Sequence, residues 1–382
     1  MLYIIRLMYE PNNAVSNRLL GYFRALDQMG VEATVVFLHP DKYRHKIEEE
    51  YQHLKIEYYW SYLVPYRGVF RNLTLRKYIR KFISKLRKGD VVYTYGLSSI
   101  NMLCKRVPGV RIYAERTENP EIVSSYPVKA LALNPKEELD AYLNLDGLFV
   151  ISESLRDYYI NLGVQASKIK IINMFVDPHR FASIKKTKTA DRYIAYCGTA
   201  SNNKDGVDEL IKAFAIVAEK VLDVKLYIIG KTPLTEQKFD NYLLIKRLNL
   251  EDRVVFTGVV SAKEMPQLLV NADVLALDRP DNKQAKYGFP TKLGEYLLSG
   301  NPVVVTSVGD ITKFLTDGVS ALIARPQNPK NFADKLLWAL TYTEEAICLG
   351  GRGKMIALEF FNSLTETQKL YSFMFPNNLD SK

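Results

Sequence analysis

The densest run of chemically capable residues is Tyr287-Gly-Phe-Pro-Thr-Lys-Leu-Gly-Glu-Tyr-Leu-Leu-Ser-Gly-Asn-Pro-Val-Val-Val-Thr306. The loop Gly288-Phe289-Pro290-Thr291 opens a helix, where the first backbone N–H groups have no intrahelical partner and face outward. Lys292 adds a cation beside them, and Tyr287 borders the loop. Glu295 sits one turn inside, where its carboxylate can accept hydrogen bonds from a polyol. Donors, a cation and a carboxylate at one helix start suit a nucleoside diphosphate sugar, anionic at one end and hydroxylated at the ribose. The same residues also read as a capped helix before a core strand.

A second candidate is Gly198-Thr-Ala-Ser-Asn-Asn-Lys-Asp-Gly-Val-Asp-Glu-Leu-Ile-Lys-Ala-Phe214. It is a loop between strand and helix, with Lys204 near backbone amides at Gly198 and Thr199, a pattern that suits phosphate. An ordinary exposed lysine is the alternative. In the first half, Ala114-Glu-Arg-Thr-Glu-Asn-Pro120 follows a strand. Carboxylates at a strand's carboxyl end are placed to meet acceptor hydroxyls, so Glu115 and Glu118, with Asn119, are the acceptor-side and catalytic candidates. Surface carboxylates are the competing reading. The sequence contains no Asp-x-Asp triplet, and no nucleophile–His–Asp set is recognisable from spacing.

These residues need a scaffold that collects strand ends. Short β-rich runs alternate with helix-period segments in both halves, which predicts parallel sheets with crossover helices. The first half offers strands at Tyr3–Leu7, Ala33–Leu38, Val91–Tyr95, Arg111–Ala114, Gly147–Ile151 and Lys170–Ile172. The second offers Tyr193–Tyr196, Lys225–Ile229, Val254–Thr257, Val274–Leu277, Pro302–Thr306 and Ser320–Ile323. The polar stretch 183–191 reads as a linker between domains 1–182 and 192–342. Residues 343–382 read as helices broken by a turn at Gly350-Gly351-Arg352-Gly353.

The chain has 382 residues, enough for two domains, and its hydrophobic share of 47% supplies two cores. No apolar run approaches the roughly 20 residues that span a bilayer, and the opening Leu2-Tyr-Ile-Ile-Arg-Leu7 reads as a strand rather than a signal peptide. Three scattered cysteines argue against a disulfide framework or a zinc site. A cytoplasmic protein is expected. The net charge of +10 divides as +7 over residues 1–182 and +3 over the rest, which points to an anionic partner of the first half. Arg71–Lys88 holds eight basic residues and no acid. Leu75, Ile79, Phe82 and Leu86 form one helical stripe, opposite Arg76, Lys77, Arg80, Arg87 and Lys88. The aromatic run Tyr58–Tyr66 precedes it. Segment 58–88 therefore reads as either a dock on the inner face of an anionic membrane or a solvated domain helix. No nucleic-acid motif accompanies the charge, and a nucleic-acid partner is not expected.

The Tyr287–Thr306 segment resembles the donor-site motif of retaining family 4 glycosyltransferases (glycosyl transferases group 1) of the GT-B fold. Glu295 and Gly300-Asn-Pro-Val-Val304 match the second half of that motif, while Tyr287 stands where the family has its first Glu. The resemblance implies two doubly wound Rossmann-like domains across a cleft, with the last helix crossing back to the first domain. It implies that Lys204 matches the family's diphosphate-binding Lys, with Thr199 or Ala200 where the family has Arg. It places Lys231, Val254 and Gly258 near the nucleobase, and Asn12 and Asn13 where relatives carry a Gly-rich loop beside diphosphate and acceptor. It identifies Asn173-Met-Phe-Val-Asp-Pro-His-Arg-Phe181 with a structural turn capped by Asp177.

The function implied is transfer of a sugar from a UDP- or GDP-linked donor to a hydroxyl of a glycan, lipid-linked or not, in polysaccharide biosynthesis. Retention, independence of a metal cofactor, and stabilisation of the leaving diphosphate by Lys204 and Lys292 go with it. Two rivals share the fold: a sugar-nucleotide epimerase, and a catalytically idle partner subunit, which Tyr287 and the missing Arg motivate.

Overall fold

The computed structural model describes residues 1–11, 14–38, 46–59, 69–122, 134–232 and 236–376. It divides into two units, one of Met1–Asn173 with Ser363–Lys382, the other of Met174–Asn362. Each is an α/β unit built on one parallel sheet, as alternating strand and helix patterns dictate.

The first sheet has seven strands: β1 (Leu2–Arg6), β2 (Ala33–Phe37), β3 (Leu54–Tyr58), β4 (Val91–Tyr95), β5 (Arg111–Arg116), β6 (Gly147–Val150) and β7 (Ile169–Ile171), in the order β3-β2-β1-β4-β5-β6-β7. β2, β4 and β6 are buried along their whole length, which is why their sequences are nearly unbroken apolar runs. β3 is an edge strand that the sequence pattern did not reveal. Its solvent-side Lys55 and Glu57 pair with each other at 3.0 Å, and Lys85 reaches Glu57 at 2.7 Å.

The helix Val69–Ile83 buries the predicted stripe, Leu75, Ile79 and Phe82, and Leu86 follows it into the core. Phe82 meets Tyr3 of β1 edge-on, with ring centroids 5.5 Å apart. Tyr58 and Tyr59 belong to the same core: Tyr58 stacks on Phe37, and Lys81 lies 4.8 Å from the buried ring of Tyr59. The rest of the aromatic run, at 60–66, lies outside the described residues.

The helix Ser363–Met374 belongs to the first unit, where Phe373 packs edge-on against Phe149 and Tyr113, and Arg111 donates to the Met374 carbonyl at 2.8 Å. The preceding helix, Thr343–Phe360, belongs to the second unit and runs unbroken through the glycines at which a turn was expected. Those glycines serve close approach: a Cβ at Gly350 would strike the Gly300 carbonyl, and one at Gly353 the Ser320 carbonyl.

The second sheet has six strands: β8 (Arg192–Cys197), β9 (Val224–Ile229), β10 (Val254–Gly258), β11 (Val274–Leu277), β12 (Val303–Thr306) and β13 (Leu322–Ala324), in the order β10-β9-β8-β11-β12-β13. The unit boundary falls at Asn173, ahead of the polar 183–191 segment. Met174, Phe175 and Phe181 are buried, and Met174 packs on Gly294, so this stretch joins the second core. Strand order reverses once in each sheet, between β1 and β4 and between β8 and β11. Such reversals open a crevice at the strands' carboxyl ends, where ligands of this architecture bind.

Candidate functional site

The crevice of the second sheet is framed by backbone. Gly198, directly after β8, donates its N–H to the Ile229 carbonyl at 2.8 Å; Ala200 donates to the Lys231 carbonyl at 2.9 Å, and Gly230 to the Gly258 carbonyl at 2.9 Å. Gly198 and Gly230 both have positive φ, +139° and +128°. A Cβ at Gly230 would strike the Gly198 carbonyl, and one at Gly198 would strike Lys292 Nζ. Glycine is therefore required for strand ends and cation to come this close.

Lys292 reaches that position from the first turn of the helix Thr291–Ser299, whose start at Pro290 no side chain caps. Its Nζ donates to Asp205 at 2.6 Å and to the Tyr196 hydroxyl at 2.9 Å, and lies 4.4 Å from the Tyr196 ring centroid. Asp205 is 3% exposed. It also accepts from Tyr196 at 2.7 Å and faces Arg279 Nε at 3.7 Å. Burial acts to raise the Asp205 pKa, but Lys292 and Arg279 hold it below the usual carboxylate range. Two cations on one carboxylate leave a surplus of positive charge under the loop. Arg279, itself buried beyond the end of β11, donates to the Lys204 carbonyl at 3.3 Å. Thr199, Lys204 and Lys231 are exposed on the loops above.

Glu295 lies one turn further along the helix, 19% exposed, in an ion pair with Arg180. Arg180 also donates to the Ala262 carbonyl at 3.1 Å. Asp177 caps the turn that carries Arg180, accepting from His179 N–H at 3.0 Å. Lys204, Lys292, Gly198, Gly258 and Glu295 thus all belong to strand ends, loops and helices of one unit. Asp205, Tyr196, Arg279 and Arg180 complete their surroundings and were not singled out from sequence. Asp205 directly follows Lys204, and Arg180 lies in the segment read as a structural turn, so the chain offered a signal for both.

Three positions depart from the sequence reading. Val254 sits at the amino end of β10, buried and paired with Leu226, a strand's length from the rim that Gly258 reaches. Phe289 is a core anchor, packed against Phe314 and Phe361 at 5.6 and 5.4 Å between centroids. The Gly288 amide is taken by the Gln284 carbonyl at 3.1 Å, closing the helix Lys283–Tyr287 instead of facing out. Tyr287 ends that helix with Lys286 Nζ 5.8 Å from its ring centroid.

In the first unit Glu115 is fully buried. Its carboxylate accepts from Arg18 at 2.8 Å, from Tyr22 at 3.1 Å and from Tyr93. Arg18 in turn donates to the Asn173 and Ile172 carbonyls at 3.0 and 3.1 Å. Burial and the Glu115 charge push the Tyr22 and Tyr93 hydroxyls well above their usual pKa. This is the geometry of an internal anchor rather than the acceptor contact expected. Glu118 is half-buried, and Asn119, 1% exposed, accepts from Glu121 N–H at 2.8 Å. Asn12 and Asn13 lie outside the described residues.

The family model described as Glycosyl transferases group 1 matches residues 191–342, and that of Glycosyltransferase Family 4 matches residues 15–180. Mannosylfructose-phosphate synthase of Agrobacterium fabrum is 28% identical over 54% of this chain and 49% of its own length. N-acetyl-alpha-D-glucosaminyl L-malate synthase of Bacillus anthracis is 28% identical over 41% of this chain and 38% of its own. The alignments thus span about half or less of these curated relatives. Among solved structures, Anabaena Alr3699/HepE in complex with UDP superposes with a TM-score of 0.74 at 18% identity, covering 97% of this chain and 98% of that one. Sucrose-phosphate synthase from Thermosynechococcus elongatus superposes at 0.75 with 16% identity, covering 98% and 99%. The two family matches cover nearly all of both sheets, and the chain is a GT-B-fold glycosyltransferase of the family 4, group 1 type.

Proposed function

We propose that this glycosyltransferase uses a nucleoside diphosphate sugar and transfers the sugar, with retention, to a hydroxyl of a glycan acceptor. The observation that carries the donor half is Lys292, held by Asp205 and Tyr196 against Gly198 at the β8–β11 switch point. In this reading Lys292, with Arg279 behind Asp205, meets the diphosphate, so the charge that the family's loop arginine would supply comes from the helix and from the segment after β11. Lys204 adds a cation from the loop above. Glu295, steadied by Arg180, receives the ribose hydroxyls. Alr3699/HepE was also solved with UDP and glucose, which favours UDP over GDP as the first donor to try.

The departing diphosphate oxygen takes the acceptor proton as the new glycosidic bond forms, so no side-chain base is required for retention. Positive charge supplied by lysines, with no Asp-x-Asp in the sequence, supports turnover without a divalent metal. Activity should survive EDTA; loss on chelation with recovery on adding Mn²⁺ would overturn that element. Sugar release from a UDP-sugar also separates an enzyme from an idle nucleotide-binding subunit.

A second observation favours an acceptor at a membrane surface. Arg76, Lys77, Arg80, Lys81, Arg87 and Lys88 are all exposed along and just beyond one helix, and among the described residues none of them faces a carboxylate within ion-pair distance. Among the described residues no helix is long and apolar enough to cross a membrane, so association would be peripheral.

A further inference from the structure

The first sheet has its own switch point, between β1 and β4. Arg6 ends β1 and Tyr95 ends β4, so both stand at the ligand-binding end of the strands. Arg6 donates from Nη1 to the Tyr95 carbonyl at 3.0 Å, and its guanidinium carbon lies 5.3 Å from the Tyr95 ring centroid. Its Nε is buried without a hydrogen-bond partner. Among the described residues no carboxylate comes within ion-pair distance of it. Glu10 and the tyrosines of β4 attract it only from farther away, while burial pulls its pKa below the usual arginine value.

The other arginines of this region differ. Arg18 is paired with Glu115 at 2.6 Å and Arg116 with Glu138 at 3.1 Å. A desolvated cation without a counter-ion is costly, and a guanidinium remains charged at any working pH. Two strands along, in the loop after β5, the Asn119 side-chain amide nitrogen is likewise buried with no partner. Between them the Tyr95 hydroxyl meets Thr117 Oγ1. Donors are in surplus along this edge, and an acceptor-only group is what would satisfy them.

We propose that the β1–β4 switch point binds an anionic oxygen group of the acceptor, a phosphate or carboxylate, with Arg6 as its counter-ion and Asn119 donating to the same molecule. The acceptor is then a charged sugar or a charged headgroup rather than a neutral glycan. This assignment rests on the glycosyltransferase reading for the word acceptor, but the anion site itself does not depend on it.

The test is calorimetry on the full chain with glucose 6-phosphate, glucose, glycerol 3-phosphate and phosphatidylglycerol vesicles, each with and without saturating UDP. Glucose 6-phosphate should bind at least about tenfold tighter than glucose, the scale of one charged hydrogen-bonded contact. Arg6→Gln should erase that preference while leaving UDP affinity unchanged, and Arg6→Lys should keep part of it. Because a half-buried guanidinium with no carboxylate partner among the described residues is lost, Arg6→Gln should melt no lower than the parent, whereas a purely structural arginine would lose stability. Arg6-dependent binding of glycerol 3-phosphate points to a soluble anion, and Arg6-dependent binding of vesicles alone points to a headgroup. Either supports the site. Equal affinity for the two sugars together with no Arg6-dependent binding of glycerol 3-phosphate or vesicles, or a preference that persists in Arg6→Gln, overturns it. Failure of UDP to bind the parent would count against the donor reading alone, since the titrations without UDP still judge Arg6.

Discussion

Residue by residue, the candidate site is governed by buried charge. Lys292 and Asp205 form a nearly dry ion pair, and removing Lys292 leaves the buried carboxylate only the longer contact to Arg279 at 3.7 Å as a counter-charge. Lys292→Met should therefore cost about 3–5 kcal/mol of stability, read as a fall in denaturation midpoint, and the double variant with Asp205→Asn should recover a large part of it. Additive losses would mean that the pair is not coupled.

Asp278, just beyond β11, is 1% exposed, and neither of its carboxylate oxygens has a hydrogen-bond partner. Burial, with Glu209 and Asp208 adding repulsion against the weaker pull of Lys212, pushes its carboxyl up to about 8. A carboxyl with a raised folded-state pKa binds more protons folded than unfolded. Its contribution therefore falls as pH rises from the ordinary carboxylate range through about 8, and is constant above that. Asp278→Asn should flatten the pH 5–8 stability curve by at least about 2 kcal/mol. An unchanged slope would assign the pH dependence to other groups.

Glu295→Ala should weaken donor binding by roughly 1–3 kcal/mol, the worth of hydrogen bonds to a charged group. Undiminished affinity with the fold intact would remove Glu295 from the site. Lys204, Lys292 and Glu295 could be singled out from sequence because each lies in or just after a loop that opens a helix, where a cation or carboxylate can meet a ligand. Arg279 and Tyr196 could not, since their roles depend on which strand ends the sheet brings together.

At the scale of elements, strand positions were legible wherever burial on both faces makes an unbroken apolar run, as in Val303–Thr306. β3 was not, because an edge strand with one wet face carries Lys and Glu in its middle. The same limit produced the error at Val254: a strand can be found from its composition, but only sheet direction says which end faces ligand. The glycines of Thr343–Phe360 misled for a related reason, since close helix packing and a turn both call for glycine and the sequence does not separate them. The Val69–Ile83 helix shows the converse. Its apolar stripe fixed which face is buried, and hence which cations face water. If that face docks on anionic lipid, reversing Arg76, Lys77, Arg80 and Lys81 to Glu should abolish co-sedimentation with phosphatidylglycerol vesicles, at up to about 1 kcal/mol per cation and with strong salt dependence. Equal sedimentation of variant and parent would leave the helix a solvated domain face.

Across the whole chain, two sheets with the same kind of strand reversal present two strand-end edges of different character. The edge of the second unit combines glycine-lined backbone with a buried cation pair on Asp205. The edge of the first carries an internal Arg18–Glu115 anchor and the uncompensated Arg6. That division suits a bisubstrate enzyme, one edge for the nucleotide and one for the acceptor. If the Lys292 edge holds a nucleoside diphosphate, calorimetry with UDP, GDP and ADP and their glucose conjugates will detect it. At 100 times its dissociation constant, one nucleotide should raise the stability of the parent by about 2.7 kcal/mol. The same nucleotide should bind the Lys292→Met/Asp205→Asn double variant far more weakly. Binding of none of them to the parent, or equal binding to the double variant, would exclude a diphosphate site at Lys292.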